Sequence, residues 1–167
     1  LGSECMTALC FDRFGGPEVL SYRDLPDPRP APGEALVRTR AIGLNFADVY
    51  RRRGNYHLQG APPYIAGYEA AGTVVEAGPD VPYRPGERVG FADSPLANAD
   101  LVAVPFERLI RLPDDVDFET AAAVLLQGLT AQYLVRDSHA LAAGQSVLVH
   151  AAAGGVGLLL VQFAKLL

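Results

Sequence analysis

Ser146-Val147-Leu148-Val149-His150-Ala151-Ala152-Ala153-Gly154-Gly155-Val156-Gly157, followed by an apolar run to Leu167, reads as strand, tight loop and helix with no pause between them. Val147 to Val149 form a short continuous apolar run of the kind buried in parallel sheets. In a doubly wound α/β sheet such a turn brings a bare backbone and a helix N-terminus up to a diphosphate. Aligned on G-x-G-x-x-G, the loop is Ala152-Ala153-Gly154-Gly155-Val156-Gly157, with alanine in the first glycine position. Ala153, Gly154, Gly155, Val156 and Gly157 are therefore candidate dinucleotide-binding residues, and the competing reading is a plain β-to-α turn. The residue near the ribose that separates NAD from NADP is expected roughly 20 residues on, past Leu167.

Upstream of this unit, Phe118 to Val135 is an Ala/Leu-rich helical run broken by Gly128. Gln127 and Thr130, three residues apart, face one side of it, and polar groups in so apolar a helix need partners, in a ligand or in the backbone. From Met6 to Leu112 the texture differs. Short apolar or alternating segments, Thr7–Phe11, Val19–Tyr22, Glu34–Ile42, Ala70–Ala77, Arg88–Phe91 and Leu101–Val104, are separated by Gly/Pro turns such as Gly15-Gly16-Pro17 and Arg84-Pro85-Gly86. That pattern predicts an antiparallel barrel or sandwich. One helix interrupts it, with Asn45 as N-cap, Phe46, Val49 and Tyr50 on an apolar face, and Gly54 as the stop.

The 167 residues suffice for a real core, and Gly 17 and Pro 13 stay below the level that signals disorder. A net charge of -5 argues against a phosphate-backbone binder, so no nucleic acid is expected. Arg51-Arg52-Arg53 is the one basic block and reads as a solvated face. Cys5 and Cys10 are too few for a disulfide framework, and no run reaches the length of a membrane span, so a cytoplasmic, reduced protein without a membrane partner is expected. Leu1-Gly2-Ser3 reads as a cloning remnant, with residues 1–5 outside the functional argument and Met6 as the natural start.

Six ordered motifs carry a resemblance: Arg13-Phe14-Gly15-Gly16-Pro17-Glu18-Val19-Leu20, Gly43-Leu44-Asn45-Phe46-Ala47-Asp48-Val49-Tyr50, Gly67-Tyr68-Glu69-Ala70-Ala71-Gly72, Gly86-Glu87-Arg88-Val89, Leu126-Gln127-Gly128-Leu129-Thr130-Ala131 and Val147 to Gly157. In this order they resemble the zinc-independent quinone oxidoreductases of the medium-chain dehydrogenase/reductase superfamily. The resemblance implies a mixed β and α/β fold. A GroES-like antiparallel β domain at 6–116 is followed at 117–167 by the first βα unit of a Rossmann fold, whose domain is incomplete in this chain. It also implies NADPH as cofactor, a homodimer, and hydride transfer to a quinone or an electron-poor enone.

Zinc-dependent relatives place a thiolate near the position of Asn45 and read Gly-His-Glu where this chain reads Gly67-Tyr68-Glu69, so no metal ligands and no zinc are expected. Carbonyl polarisation then falls to hydrogen-bond donors. Asn45 matches the family's active-site asparagine, beside its N-cap reading. Tyr50 corresponds to a tyrosine near the nicotinamide, beside the reading of an amphipathic core tyrosine, and Tyr56 would shape the substrate mouth. Gln127 and Thr130 would reach the nicotinamide carboxamide. Asp48 reads as a helix-surface or internal hydrogen-bond group rather than a general base, His57 and His139 as loop residues, His150 as a structural histidine, and Ala97-Asn98-Ala99 as a loop lining the pocket in its own way. The last helix has almost no polar face. It is expected to be covered, by self-association among other means, and weak or absent NADPH binding is expected of this chain alone. The alternative to an enzyme is a non-catalytic GroES-like binding or oligomerisation module.

Overall fold

Antiparallel pairing dominates the first two thirds of the chain, as the Gly/Pro-punctuated segments predict. In the computed structural model, residues 5–56, 58 and 60–167 are described. The strands are β1 (Cys5–Phe11), β2 (Ser21–Pro26), β3 (Glu34–Gly43), β4 (Tyr64–Ile65), β5 (Glu69–Ala77), β6 (Arg88–Phe91), β7 (Leu101–Pro105) and β8 (Leu109–Arg111). The helices are α1 (Phe46–Arg52), α2 (Phe118–Tyr133) and α3 (Gly155–Leu166), and a π-helical turn at Leu134–Ser138 follows α2. Residues up to Ala123 form one compact unit and Val124–Leu167 a second, so the division falls inside α2, a few residues past the change in texture at Asp117.

In the first unit, β2-β1-β4 make a three-stranded sheet and β7-β3-β5-β6-β8 a five-stranded one, with every pair antiparallel. The pleat of β1 turns Met6, Ala8 and Cys10 inward, where they join Val37, Val74, Val89, Phe91 and Val104 in one apolar cluster. The two sheets are stitched by Ala97-Asn98-Ala99, whose Ala99 carbonyl accepts the Thr39 hydroxyl of β3 (2.6 Å). The Leu9 N–H donates to the Asn98 carbonyl (2.8 Å), the Asn98 N–H to Ala66 (2.9 Å), and Ala8 bridges Ala99. All three residues are buried. The expectation that they line a ligand pocket is corrected: they form a structural seam.

Two strands, β4 and β8, escape the sequence reading because two or three residues show no period. Val19 belongs to a 3-10 turn over Pro17–Val19 rather than to a strand, because Pro17 sits at its first positions with φ already preset. Met6 lies in β1, whereas residues 1–4 of the suspected remnant and His57 lie outside the described residues.

The second unit departs most from expectation. Residues 146–150, read as a buried strand, carry no sheet pairing, and Leu148 is 80% exposed. A parallel strand takes its hydrogen bonds from strands distant in sequence, and the described residues supply none beside this segment. His150 is exposed rather than packed.

Candidate functional site

Within the first unit the side chains of interest converge on the start of α1 and the start of β5. Asn45 adopts an extended conformation ahead of the helix, its backbone N–H donating to Asp48 Oδ2 (2.8 Å) and its carbonyl accepting the Asp48 N–H (3.0 Å). This is the Asp48 half of a capping box, and it fixes Asn45 at the helix entry. The Asn45 amide then points across to β5, where Nδ2 donates to Glu69 Oε2 at 2.8 Å. Asn45 therefore sits at the N-cap position, as the cap reading has it, with its amide bonded to Glu69.

Glu69 is fully buried. Sequence reasoning passed over it, although an acidic residue opening an otherwise apolar strand was a usable signal. Its place depends on Gly43, where a Cβ would come within 2.4 Å of Glu69 Oε2 and 2.3 Å of the Ala122 carbonyl. Asp48 has its pKa raised, first by burial, with the Asn45 N–H and the Arg51 charge opposing that shift. As expected, it serves as an internal hydrogen-bond group.

The apolar face predicted for α1 is turned outward: Phe46 is exposed and Tyr50 is 47% exposed, their rings 6.3 Å apart. The residues α1 buries are Arg51 and Arg52, at 4% and 7% exposure, which corrects the reading of the basic block as a solvated face; Arg53 alone is exposed. Arg52 Nη1 donates to the Gly15 carbonyl (2.8 Å), and the Arg52 carbonyl accepts the Gly15 N–H (3.1 Å), pinning α1 to the loop after β1. The Arg51 guanidinium lies over the Tyr68 ring, 5.1 Å from its centroid, and Tyr56 meets that ring edge-on at 5.9 Å. Burial pushes the Tyr68 phenol up. Gly54 ends the helix at φ 78, as predicted.

Cys10 is buried, its thiol pushed up by that burial, while Cys5 is exposed. Burial, opposed by the Arg23 charge, makes Cys10 a poor nucleophile.

The second unit contains the glycine loop. Gly154 caps α3 in an extended conformation, with its N–H on the Ala151 carbonyl (2.9 Å) and its carbonyl accepting the Leu158 N–H (2.8 Å). The N–H groups of Gly155, Val156 and Gly157 occupy the first turn, where helix geometry offers no intrahelical acceptor. Residues 151–155 are exposed, leaving that turn open to a ligand. A Cβ on Gly157 would fall 2.2 Å from the Ala151 carbonyl oxygen, so the loop folds back on the helix only because this residue is bare. A Cβ on Gly155 would lie 3.0 Å from Gln127 Cγ, which places Gln127 against the loop. Thr130 Oγ1 donates to the Leu126 carbonyl at 2.7 Å, so its proton is committed to the helix backbone and its remaining capacity is that of an acceptor.

Residues 31–145 match the alcohol dehydrogenase GroES-like domain model. The chain belongs to that family. The quinone oxidoreductase of Pseudomonas aeruginosa is 50% identical over 159 residues, covering 94% of this chain and 49% of that protein. A 2-haloacrylate reductase of a Burkholderia species is 41% identical over 164 residues, covering 95% and 49%. The Escherichia coli quinone oxidoreductase solved with NADPH superposes with a TM-score of 0.89 at 39% identity, covering 96% of this chain and 49% of that one. Within the GroES-like family, then, the chain falls in the quinone oxidoreductase branch of the medium-chain dehydrogenases/reductases, as a GroES-like domain with a partial Rossmann-like unit. It spans about half the length of the curated relatives it matches.

Proposed function

We propose that the protein reduces quinones or electron-poor enones by hydride transfer from NADPH, without a metal. The observation that carries this reading is the Asn45 to Glu69 hydrogen bond at 2.8 Å, which aims a preorganised amide at the start of α1 in a chain whose quinone oxidoreductase relatives include one solved with NADPH. The relative named for 2-haloacrylate reduction also acts, by that name, on an electron-poor alkene.

The open first turn of α3 and the bare Gly155 fit the diphosphate of a dinucleotide. Gly154, Gly155, Val156 and Gly157 would hold it through backbone N–H groups, with Ala153 leading into the turn, while Gln127 and the acceptor oxygen of Thr130 would orient the carboxamide. When bound, NADPH supplies the hydride. Asn45, held by Glu69, and the Tyr50 hydroxyl stabilise the negative charge that builds on the acceptor oxygen, and Tyr56 lines the way in. A zinc ion does not fit the donor set: the amide of Asn45 and the phenol of Tyr68, whose ring is occupied by Arg51, are neither thiolate nor imidazole. A homodimer is part of the proposal, favoured by the apolar side chains that α3 leaves exposed.

The test is NADPH oxidation with 1,4-benzoquinone. Activity is expected to survive chelator treatment, and Asn45→Ala should lower kcat by about 10²-fold, the usual loss for one oxyanion donor. Full activity in Asn45→Ala, or activity abolished by chelator, contradicts the reading.

A further inference from the structure

Two adjacent arginines of α1 are buried to nearly the same degree, and only one of them is accounted for by the fold. Arg52 spends its charge on the Gly15 carbonyl. Arg51, 4% exposed, forms no ion pair, and its Nε and Nη1 reach no hydrogen-bond acceptor among the described residues. A guanidinium cannot shed its proton to escape burial, so an unanswered one is expensive. The Tyr68 ring at 5.1 Å and the Asp48 charge offset part of that cost. Neither is hydrogen-bonded to the orphaned N–H groups: Asp48 Oδ2 accepts the Asn45 backbone N–H, and Asp48 Oδ1, buried like the guanidinium, makes no hydrogen bond to it. The position is not remote: Arg51 follows Tyr50, and its stacking partner Tyr68 precedes the Glu69 that holds Asn45. The half-exposed Tyr56 packs edge-on against Tyr68 at the outer side of the cluster.

We propose that Arg51 is a specificity residue that receives a carboxylate carried by the substrate, so that the site prefers acidic quinones or α,β-unsaturated acids over their neutral counterparts. The inference rests on the reductase reading for the word substrate, but not for the binding event. A planar carboxylate answers the N–H groups that the fold leaves unanswered, and in a desolvated setting such a pair is among the stronger polar contacts. Tyr68 stacks against the guanidinium and keeps it planar to the ligand rather than free to turn back to Asp48.

The experiment is binding of benzoate and of benzamide, equal in shape and differing in charge, to the intact protein without NADPH, by calorimetry. Benzoate is expected to bind at least tenfold tighter, about 1.4 kcal/mol. Arg51→Gln should erase the difference, Arg51→Lys should retain part of it, and Asp48→Asn, which removes the competing charge, should tighten benzoate without changing benzamide. Circular dichroism checks that each variant is folded, and Asp48→Asn leaves Arg51 in place if Arg51→Gln is not. Equal binding of the two probes by the folded wild-type protein overturns the proposal, as does a benzoate preference that persists in Arg51→Gln. Inorganic phosphate competing as well as benzoate would mark an unselective anion site and equally overturn it. Because no turnover is read, failure of the reductase reading leaves this result standing, and the reverse also holds.

Discussion

The two units of the molecule handle apolar surface in opposite ways. In the first, every strand finds an antiparallel partner, near in sequence for β1 and β2 and far for β3 and β7, and the side chains its pleats turn inward close into one cluster from Met6 to Leu109. In the second, α3 carries the apolar run Leu158 to Val161, yet Leu158 is 54% and Leu166 81% exposed, and Leu148 ahead of it stands in solvent. Hydrophobicity alone therefore does not make a core. The strands of the first unit find their partners among the described residues, whereas the βα unit has no neighbouring strands there for its apolar residues to pack on.

The sharpest test of this contrast is a pair of truncations. Phe91→Ala, in the closed cluster, is expected to cost about 3–5 kcal/mol in urea unfolding, and Leu158→Ala under about 1 kcal/mol. Equal losses would mean that the α3 face is covered after all. Within the second unit, Gly157→Ala forces a Cβ to 2.2 Å from a backbone oxygen, and a loss of about 1–3 kcal/mol, with a disordered α3 start in amide NMR, is expected. Gly128→Ala is the counterpart with the opposite sign. The new Cβ would meet only Leu159 Cδ1 at 3.9 Å, so α2 should gain up to about 1 kcal/mol, read as a higher Tm.

The smallest effect concerns pH and belongs to the first unit. Burial raises the Asp48 pKa, so the folded chain holds that proton to higher pH than the unfolded chain does. Ionised Asp48 thus carries a penalty at neutral pH, which is relieved as pH falls through the raised folded value towards about 3.9, the unfolded one. Wild type should gain stability relative to Asp48→Asn over that window. A difference that stays flat, or runs the other way, would show that the carboxylate is not desolvated.

The same contrast explains what could be read in advance. β3, β5, β6 and β7 were legible within a residue or two because alternation and Gly/Pro turns are local properties, and so were the cap at Asn45 and the stop at Gly54. The glycine loop was legible because bare backbone is written directly in sequence; Gly157 meets Ala151 as such a turn requires. What failed was non-local. Strand pairing at 146–150 depends on partners, not on Val147 to Val149 themselves. The burial of Arg51 and Arg52 depends on Tyr68 and Gly15, which lie on other elements, and the basic block offers no hint of it. Glu69 opens β5 one residue before the segment read from Ala70, and its bond to Asn45 comes from another element.

The account rests most heavily on the claim that the start of α3 is a diphosphate cradle. The direct measurement is a titration of the isotopically labelled protein with NADPH, followed through the backbone amides. The account predicts that the Gly155, Val156 and Gly157 resonances shift first and furthest, and that Gly157→Ala abolishes the response. Shifts that bypass these three amides while NADPH demonstrably binds would contradict it.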